Sequence, residues 1–259
     1  PRRAALTLVV LATAAPTASA EDYSIFDPRP RAQLRELSTD RPDTTESPIS
    51  VDAGHVQIEL DLVALGFAGG GASTLDLGAA NLKVGLDGST DLQVVLEPYH
   101  REASDTAMTT SGYGGTTVRI KRNLWGNDGG ATAAALLPFV AKADDTWAAG
   151  LAVPIGFELP AGFSAAVMPQ LDLEDLGGDV GTSAMFTATA SHDLFGPVGA
   201  YVESALHASL TTDPKTAMQA DGGLTVGVSD DVQLDVGTRL RVFGDVPNAE
   251  VFLGVAARR

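Results

Sequence analysis

From residue 54 onward the sequence alternates between apolar and polar positions with a period of two. In the run HVQIELDLVA, Val56, Ile58, Leu60 and Leu62 fall on one side while Gln57, Glu59 and Asp61 fall on the other. Successive side chains of a strand point to opposite faces, so this pattern predicts a strand with one apolar and one acidic face. The same alternation returns along the chain. Leu92, Val94 and Leu96 oppose Gln93, Glu97 and Tyr99; Val118 and Ile120 oppose Arg119 and Lys121; Val202 and Leu206 oppose Tyr201, Glu203 and His207. Near the end, Val232, Leu234, Val236, Leu240 and Val242 oppose Gln233, Asp235, Arg239 and Arg241. Strands are expected near 54–68, 72–86, 90–102, 114–125, 130–143, 146–158, 162–173, 182–194, 197–211, 216–228, 231–243 and 248–259. One of these breaks phase: Leu75 and Leu77 are odd whereas Leu82, Val84 and Leu86 are even, which predicts a bulge near Gly78 to Ala80. Pro98, Pro138, Pro154 and Pro169 fall inside predicted strands and should mark bulges or strand ends, because each removes a ladder donor.

The connections alternate as well. Gly85–Ser89, Leu124–Gly130, Leu159–Gly162, Leu194–Pro197 and Ser229–Asp231 are short turns, while Glu102–Gly114, Ala143–Thr146, Glu174–Gly181, Thr211–Thr216 and Gly244–Asn248 are more variable and more acidic. Short turns at one end and longer loops at the other are the asymmetry of an outer-membrane barrel. An even strand number returns the C-terminus to the side of the N-terminus, which fits a count of about twelve. In hydrocarbon an unpaired backbone N–H or C=O costs several kcal/mol, so only a closed sheet can turn a strand face to lipid. The expected fold is therefore all-β, a transmembrane antiparallel up-and-down barrel occupying residues 51–259. A secreted β-sandwich also alternates, but these strands are long for one and their polar faces carry full charges.

Residues 1–20 read PRRAALTLVVLATAAPTASA, two arginines, an apolar stretch and a small-residue end, which is the order of a secretory signal peptide with cleavage near Ala20. After it, residues 21–50 are polar and punctuated by Pro28, Pro30, Pro42 and Pro48, so an irregular N-terminal segment is expected there. The formal charge of −16 disfavours nucleic acid as a partner. There is no cysteine, which excludes a disulfide scaffold and a thiolate metal site. Aromatic residues are 6% of the chain, so interfacial girdles should be thin; Trp125, Trp147, Phe157, Phe163, Phe195 and Phe243 are the candidates. Arg122 has apolar-face parity but lies near Trp125 at a strand end, where its charge can snorkel into the interface.

At Thr39–Glu59 the chain reads TDRPDTTESPISVDAGHVQIE, whose DRP, TESP and GxxQxE pieces resemble the opening signature of a family of outer-membrane transporters associated with the meta pathway of phenol degradation. Gln233-Leu234-Asp235-Val236-Gly237 and a last strand opened by Pro247 are similar to that family's closing hairpin. The resemblance brackets the mature chain and implies an outer-membrane barrel in a Gram-negative bacterium, with aromatic or hydrophobic compounds as its cargo. The partners it implies are outer-membrane lipids and lipopolysaccharide, a small-molecule solute and the barrel-assembly machinery.

A barrel of about twelve strands lies between those that side chains fill and those that leave an aqueous channel. Glu59, Asp61, Glu97, Arg119, Lys121, Glu203, Asp221, Asp235, Arg239 and Arg241 are placed in its lumen, with Glu97 near Arg119 and Asp221 near Arg239 as ionic rungs. Such rungs either set selectivity by their field or merely neutralise one another. Asp40, Arg41, Asp43 and Glu46 lie in the proline-framed run before the first strand, which is expected to fold into the periplasmic mouth as a plug, Arg41 seeking a lumen carboxylate. A solvated leader to the barrel is the alternative.

No enzyme is expected. HExxH, GxSxG and phosphate-loop patterns are missing from the sequence. His100 has lipid-facing parity, and His192 and His207 have lumen parity. An outer-membrane lipase is a distant third reading, behind a solute channel and a non-conducting structural or surface-interaction barrel. No cofactor or metal is called for; the acidic pairs Asp144-Asp145 and Glu174-Asp175 are read as solvated loops rather than cation sites.

Overall fold

The computed structural model describes residues 23–104, 108–143, 146–211 and 214–259. The leader expected over 1–20 and the pair Asp144-Asp145 lie outside them.

Twelve antiparallel staves close on themselves. They are β1 (Val56–Phe67), β2 (Ser73–Asp87), β3 (Thr90–Glu97 with Tyr99–Ala103), β4 (Thr110–Gly112 with Gly115–Trp125), β5 (Thr132–Ala143) and β6 (Thr146–Ala152 with Ile155–Glu158). The second half comprises β7 (Phe163–Asp175), β8 (Val180–Phe195), β9 (Val198–Ser209), β10 (Lys215–Ser229), β11 (Val232–Phe243) and β12 (Ala249–Arg258). Each stave pairs with the next, and β1 closes the sheet: Gln57 stands opposite Lys83 of β2 on one side and Arg258 of β12 on the other. Closure leaves the sheet without an edge, which is what allows its outer face to be apolar. That face carries Val140, Leu171, Val202, Leu206, Val236 and Leu240, all exposed. A sandwich would have buried them.

The phase break in β2 falls at Gly78, as its sequence predicts, and it has neighbours. Asp61 pairs with Ala79 and Val63 with Leu77, so Leu62 and Gly78 lie side by side without a ladder bridge, and Pro98 follows next to Gly78 in β3. Gly78 has φ of +70°, a conformation that residues with a Cβ rarely adopt. Beyond this row the facing parity flips in all three staves. Ala64 and Gly66 turn inward in place of Leu65 and Phe67, and His100 turns inward against Asp76. The lipid-facing parity expected for His100 is therefore reversed.

The remaining prolines sit where the ladder has gaps. Pro154 splits β6, and Pro138 and Pro169 lie inside continuous strands, contrary to the expectation that each would mark a bulge or end. They are tolerated because their missing donors face unpaired stretches. The β4–β5 ladder skips from Arg119–Phe139 to Arg122–Leu136 at Pro138, and the β6–β7 ladder skips from Ile155–Val167 to Ala152–Gln170 at Pro169.

Aromatic residues collect at the two rims. Trp125, Phe157, Phe163 and Phe195 are exposed at the end of the short turns, and Phe67, Trp147 and Phe243 at the end of the longer loops. Arg122, exposed at the turn end, donates to Asp87 at 3.3 Å and to Thr90 at 2.6 Å.

Candidate functional site

Inside the barrel lies the chain's own N-terminal segment. Residues 23–55 contain one short 3-10 turn, Arg31–Gln33, and isolated bridges such as Ala53 with Gly85, so most of their backbone groups have no sheet or helix partner. A buried backbone N–H without an acceptor is costly. The wall supplies acceptors in the form of carboxylates. Asp40 N–H donates to both oxygens of Glu59, at 3.0 and 3.1 Å, and Val51 N–H donates to Asp91 at 2.9 Å. Thr44 and Thr45 N–H donate to the two oxygens of Glu203, at 2.7 and 2.8 Å. Much of the acidic excess of the polar faces thus receives the irregular segment.

The segment's own charges complete the fit. Asp40 lies between two lysines, Lys83 and Lys121, the latter at 2.7 Å, and Lys83 also meets Glu59. Both ammonium groups are fully buried, which is sustainable only because each has a carboxylate against it. Burial alone would raise the Asp40 carboxyl, but Lys121 and Lys83 overcome it and hold that group well below the usual carboxylate range. Glu46 reaches Arg119, and Arg41 reaches Asp61 and Asp235. Among the described residues no cation pairs with Asp43. Burial, with Glu203 close by, pushes it up to about 8, and burial pushes Glu46 up to about 7 against the pull of Arg119. At the turn end Arg29 and Arg35 meet Asp52 within the segment and clamp it to Asp128 of the β4–β5 turn, and Arg258 donates to Arg35 O at 2.8 Å.

Of the residues assigned to the lumen from sequence, Glu59, Asp61, Arg119, Lys121, Glu203 and Asp235 engage the segment directly. Asp221 and Arg239 form the expected rung at 3.3 Å within a register row, Thr189–Glu203–Asp221–Arg239–Glu250, that crosses five staves. The rung expected between Glu97 and Arg119 does not form. Register sets Arg119 opposite Gln93 and Glu97 opposite Gly115, and the Arg119 guanidinium turns to Glu46. Arg241 sits exposed near the loop end, outside this network. Lys83, Asp91 and Glu250 were missed. Lys83 belongs to the stave whose phase break at Gly78 hides which parity faces inward, and Glu250 pairs only through register.

His192 also departs from expectation. It stacks on Phe163, ring centroids 4.3 Å apart, opposite it in the β7–β8 ladder, and Phe163 is on the apolar outer face. Its parity is that of Phe186 and Leu194, so the lumen assignment is corrected. His207 does face the lumen. Among the described residues no cluster of three or more His, Asp or Glu is arranged to hold a metal ion.

Two cavities open along the β7–β9 side of the lumen, and the segment lines the second of them. One, of about 450 Å³, lies toward the loop end and is lined by Gln170, Asp172, Met185 and His207 among others. The other, of about 790 Å³, lies toward the turn end and is lined by Thr45, Pro48, Ala166, Thr189 and Tyr201 among others.

No family model matches the chain. No curated protein matches it either. Solved structures do. The COG4313 outer membrane channel from Pseudomonas putida F1 superposes with a TM-score of 0.60 at 9% identity, covering 86% of this chain and 100% of that one. The NanC porin superposes with a TM-score of 0.54 at 11% identity, covering 77% of this chain and 99% of that one. At these identities the likeness is one of fold, and that fold is the barrel of outer-membrane proteins.

Proposed function

We propose that this protein is an outer-membrane channel of a Gram-negative bacterium that passes small solutes, and that residues 21–50 are its plug. The supporting observation is a closed barrel, apolar outside and ionic inside, whose lumen holds the chain's own irregular segment with a cavity of about 790 Å³ beside it. The solved structures it is similar to bear the names of a channel and a porin. The turn end then faces the periplasm and the loop end the exterior, after export and removal of the leader near Ala20. Aromatic or hydrophobic cargo is the finer reading. It rests on the resemblance at Thr39–Glu59 to the meta-pathway transporters.

The experiment is planar-bilayer conductance, with solute uptake into cells, for the intact mature protein and for a deletion of residues 21–46. The deletion is expected to conduct more than the intact protein. A deletion that folds as a barrel and conducts nothing overturns the channel reading. That outcome favours a structural barrel, which the dense ion pairing of Asp40, Lys83 and Lys121 across the lumen would serve.

A further inference from the structure

The two cavities share staves, and the wall between them is thin. On β7 the inward residues Ser164 and Ala166 line the turn-end cavity and Gln170 and Asp172 the loop-end one, with Met168 between them. On β8 the corresponding residue is Thr187, between Thr189 and Met185; on β9, Glu203 and Ala205 separate Tyr201 from His207. Met168, Thr187 and Ala205 stand in one register row, directly opposite one another. From the segment, Thr44 and Thr45 close against this row through Glu203. The Thr45 hydroxyl lies 2.6 Å from that of Thr187 and 2.5 Å from Glu203 Oε1. Met168, Thr187, Glu203, Ala205 and Thr45 are each 5% exposed or less, so the wall is closed where these residues meet.

We propose that this septum is the constriction of the passage, that Thr45 is its closing residue, and that Glu203 makes the open constriction prefer cationic and neutral solutes over anions. The inference rests on the channel reading and deepens it. Opening does not require the whole segment to leave. The anchors of Arg41 on Asp61 and Asp235, and of Asp40 on Lys83 and Lys121, lie on β1, β2, β4 and β11, away from β7–β9. A shift of residues 43–46, between Pro42 and Pro48, breaks the Glu46–Arg119 pair and joins the cavities while those other anchors hold. Met168, unbranched and able to change rotamer, yields on the opposite side. In the closed state Glu203 is saturated by three donors, the N–H groups of Thr44 and Thr45 and the Thr45 hydroxyl. When Thr45 withdraws, all three are lost together. The carboxylate is then the charged group of the narrowest point, where a low-dielectric wall concentrates its field on a passing ion.

The test is single-channel recording on the full mature chain, whose lack of cysteine gives engineered pairs a clean background. The short Thr45–Thr187 contact puts Thr45→Cys and Thr187→Cys within reach of a disulfide. Oxidation of that double variant with copper phenanthroline is expected to abolish conductance, and dithiothreitol to restore it. Thr45→Val, which keeps the shape and loses the hydroxyl's bonds, is expected to raise open probability with no cross-link needed, and Met168→Trp to lower conductance. In a potassium chloride gradient the reversal potential of Thr45→Val should report cation preference, and adding Glu203→Gln should remove it while current persists. Two outcomes overturn the proposal: a cross-linked double variant that conducts as its reduced form does, or a reversal potential unchanged by Glu203→Gln. The deletion of residues 21–46 separates the two readings. If the deletion conducts and the septum variants behave as the unmodified protein does, the septum is wrong and the channel stands; if the deletion is silent as well, the channel reading fails.

Discussion

Arg41 lies across Gly254 and joins the two carboxylates that flank it. Asp235 of β11, Gly254 of β12 and Asp61 of β1 form one register row, and the Arg41 guanidinium meets Asp61 at one end and Asp235, at 2.6 and 3.1 Å, at the other. A Cβ on Gly254 would collide with the Arg41 guanidinium, so the glycine makes the floor on which the guanidinium rests. The planar fork suits two carboxylates in a way that a lysine ammonium does not.

Arg41→Ala strands Asp235, which is buried, and Asp61, which keeps some contact with water. Removing one partner of a buried pair costs on the order of 3–5 kcal/mol, and the lower end applies here because Asp61 is partly solvated. The variant should release residues 38–46 to protease while the barrel resists. Gly254→Ala should act in the same direction and less strongly, since a long side chain can move aside. Limited proteolysis followed by mass spectrometry measures both.

Docking of the segment should weaken as pH rises. The Asp43 carboxyl titrates near 8 when docked, burial being the main cause and Glu203 the next, and near its ordinary value of about 4 when released. Between those values the docked form holds a proton that the released form has lost, so the docked state is fully favoured below about pH 4 and loses ground up to about pH 8. Glu46, pushed up to about 7, contributes with the same sign. Asp43→Asn keeps the uncharged shape and should flatten the dependence. Amide hydrogen exchange at residues 42–47, measured from pH 5 to 9 and corrected for intrinsic rates, reads this; equal slopes in the two proteins would contradict it.

Asp40→Asn should be more disruptive than its single lost charge implies. Lys83 and Lys121 are both buried against that carboxylate, and Lys83 alone keeps a second one, Glu59. Lys121 would be left with no ion pair, only the longer-range attraction of Asp91, its register partner in the β3–β4 ladder. Adding Lys121→Met should recover docking, because the stranded ammonium is the source of the cost. A double variant no better docked than Asp40→Asn alone would refute this.

On the outer face the expectation is set by lipid. Val202 stands exposed near the middle of β9, and Val202→Arg should destabilise the barrel in bilayers by about 2–4 kcal/mol. The same substitution at Val198, at the turn-end rim, should cost less, because the charge reaches the interface. Urea unfolding in liposomes compares them.

The period of two marked strand and approximate boundary for the twelve staves, and the inward face wherever no phase break intervenes, because alternation is a local property that each strand displays by itself. The composition of the two faces then called for closure: an apolar exterior with charged residues behind it has one low-energy arrangement in hydrocarbon. The proline-framed run before β1 announced its irregularity, and its charges announced that they needed partners. Which partners was not legible. Arg119 chose Glu46 over Glu97, and His100 faces the way opposite to its apparent parity. These were decided by register, by the Leu62–Gly78–Pro98 row that inverts three staves at once, and by a segment that enters the lumen and competes for its charges. The physical reason is range. A residue's face depends on its neighbours in sequence, whereas a buried charge is settled by whatever closed topology brings within a few ångströms of it, from staves more than a hundred residues apart.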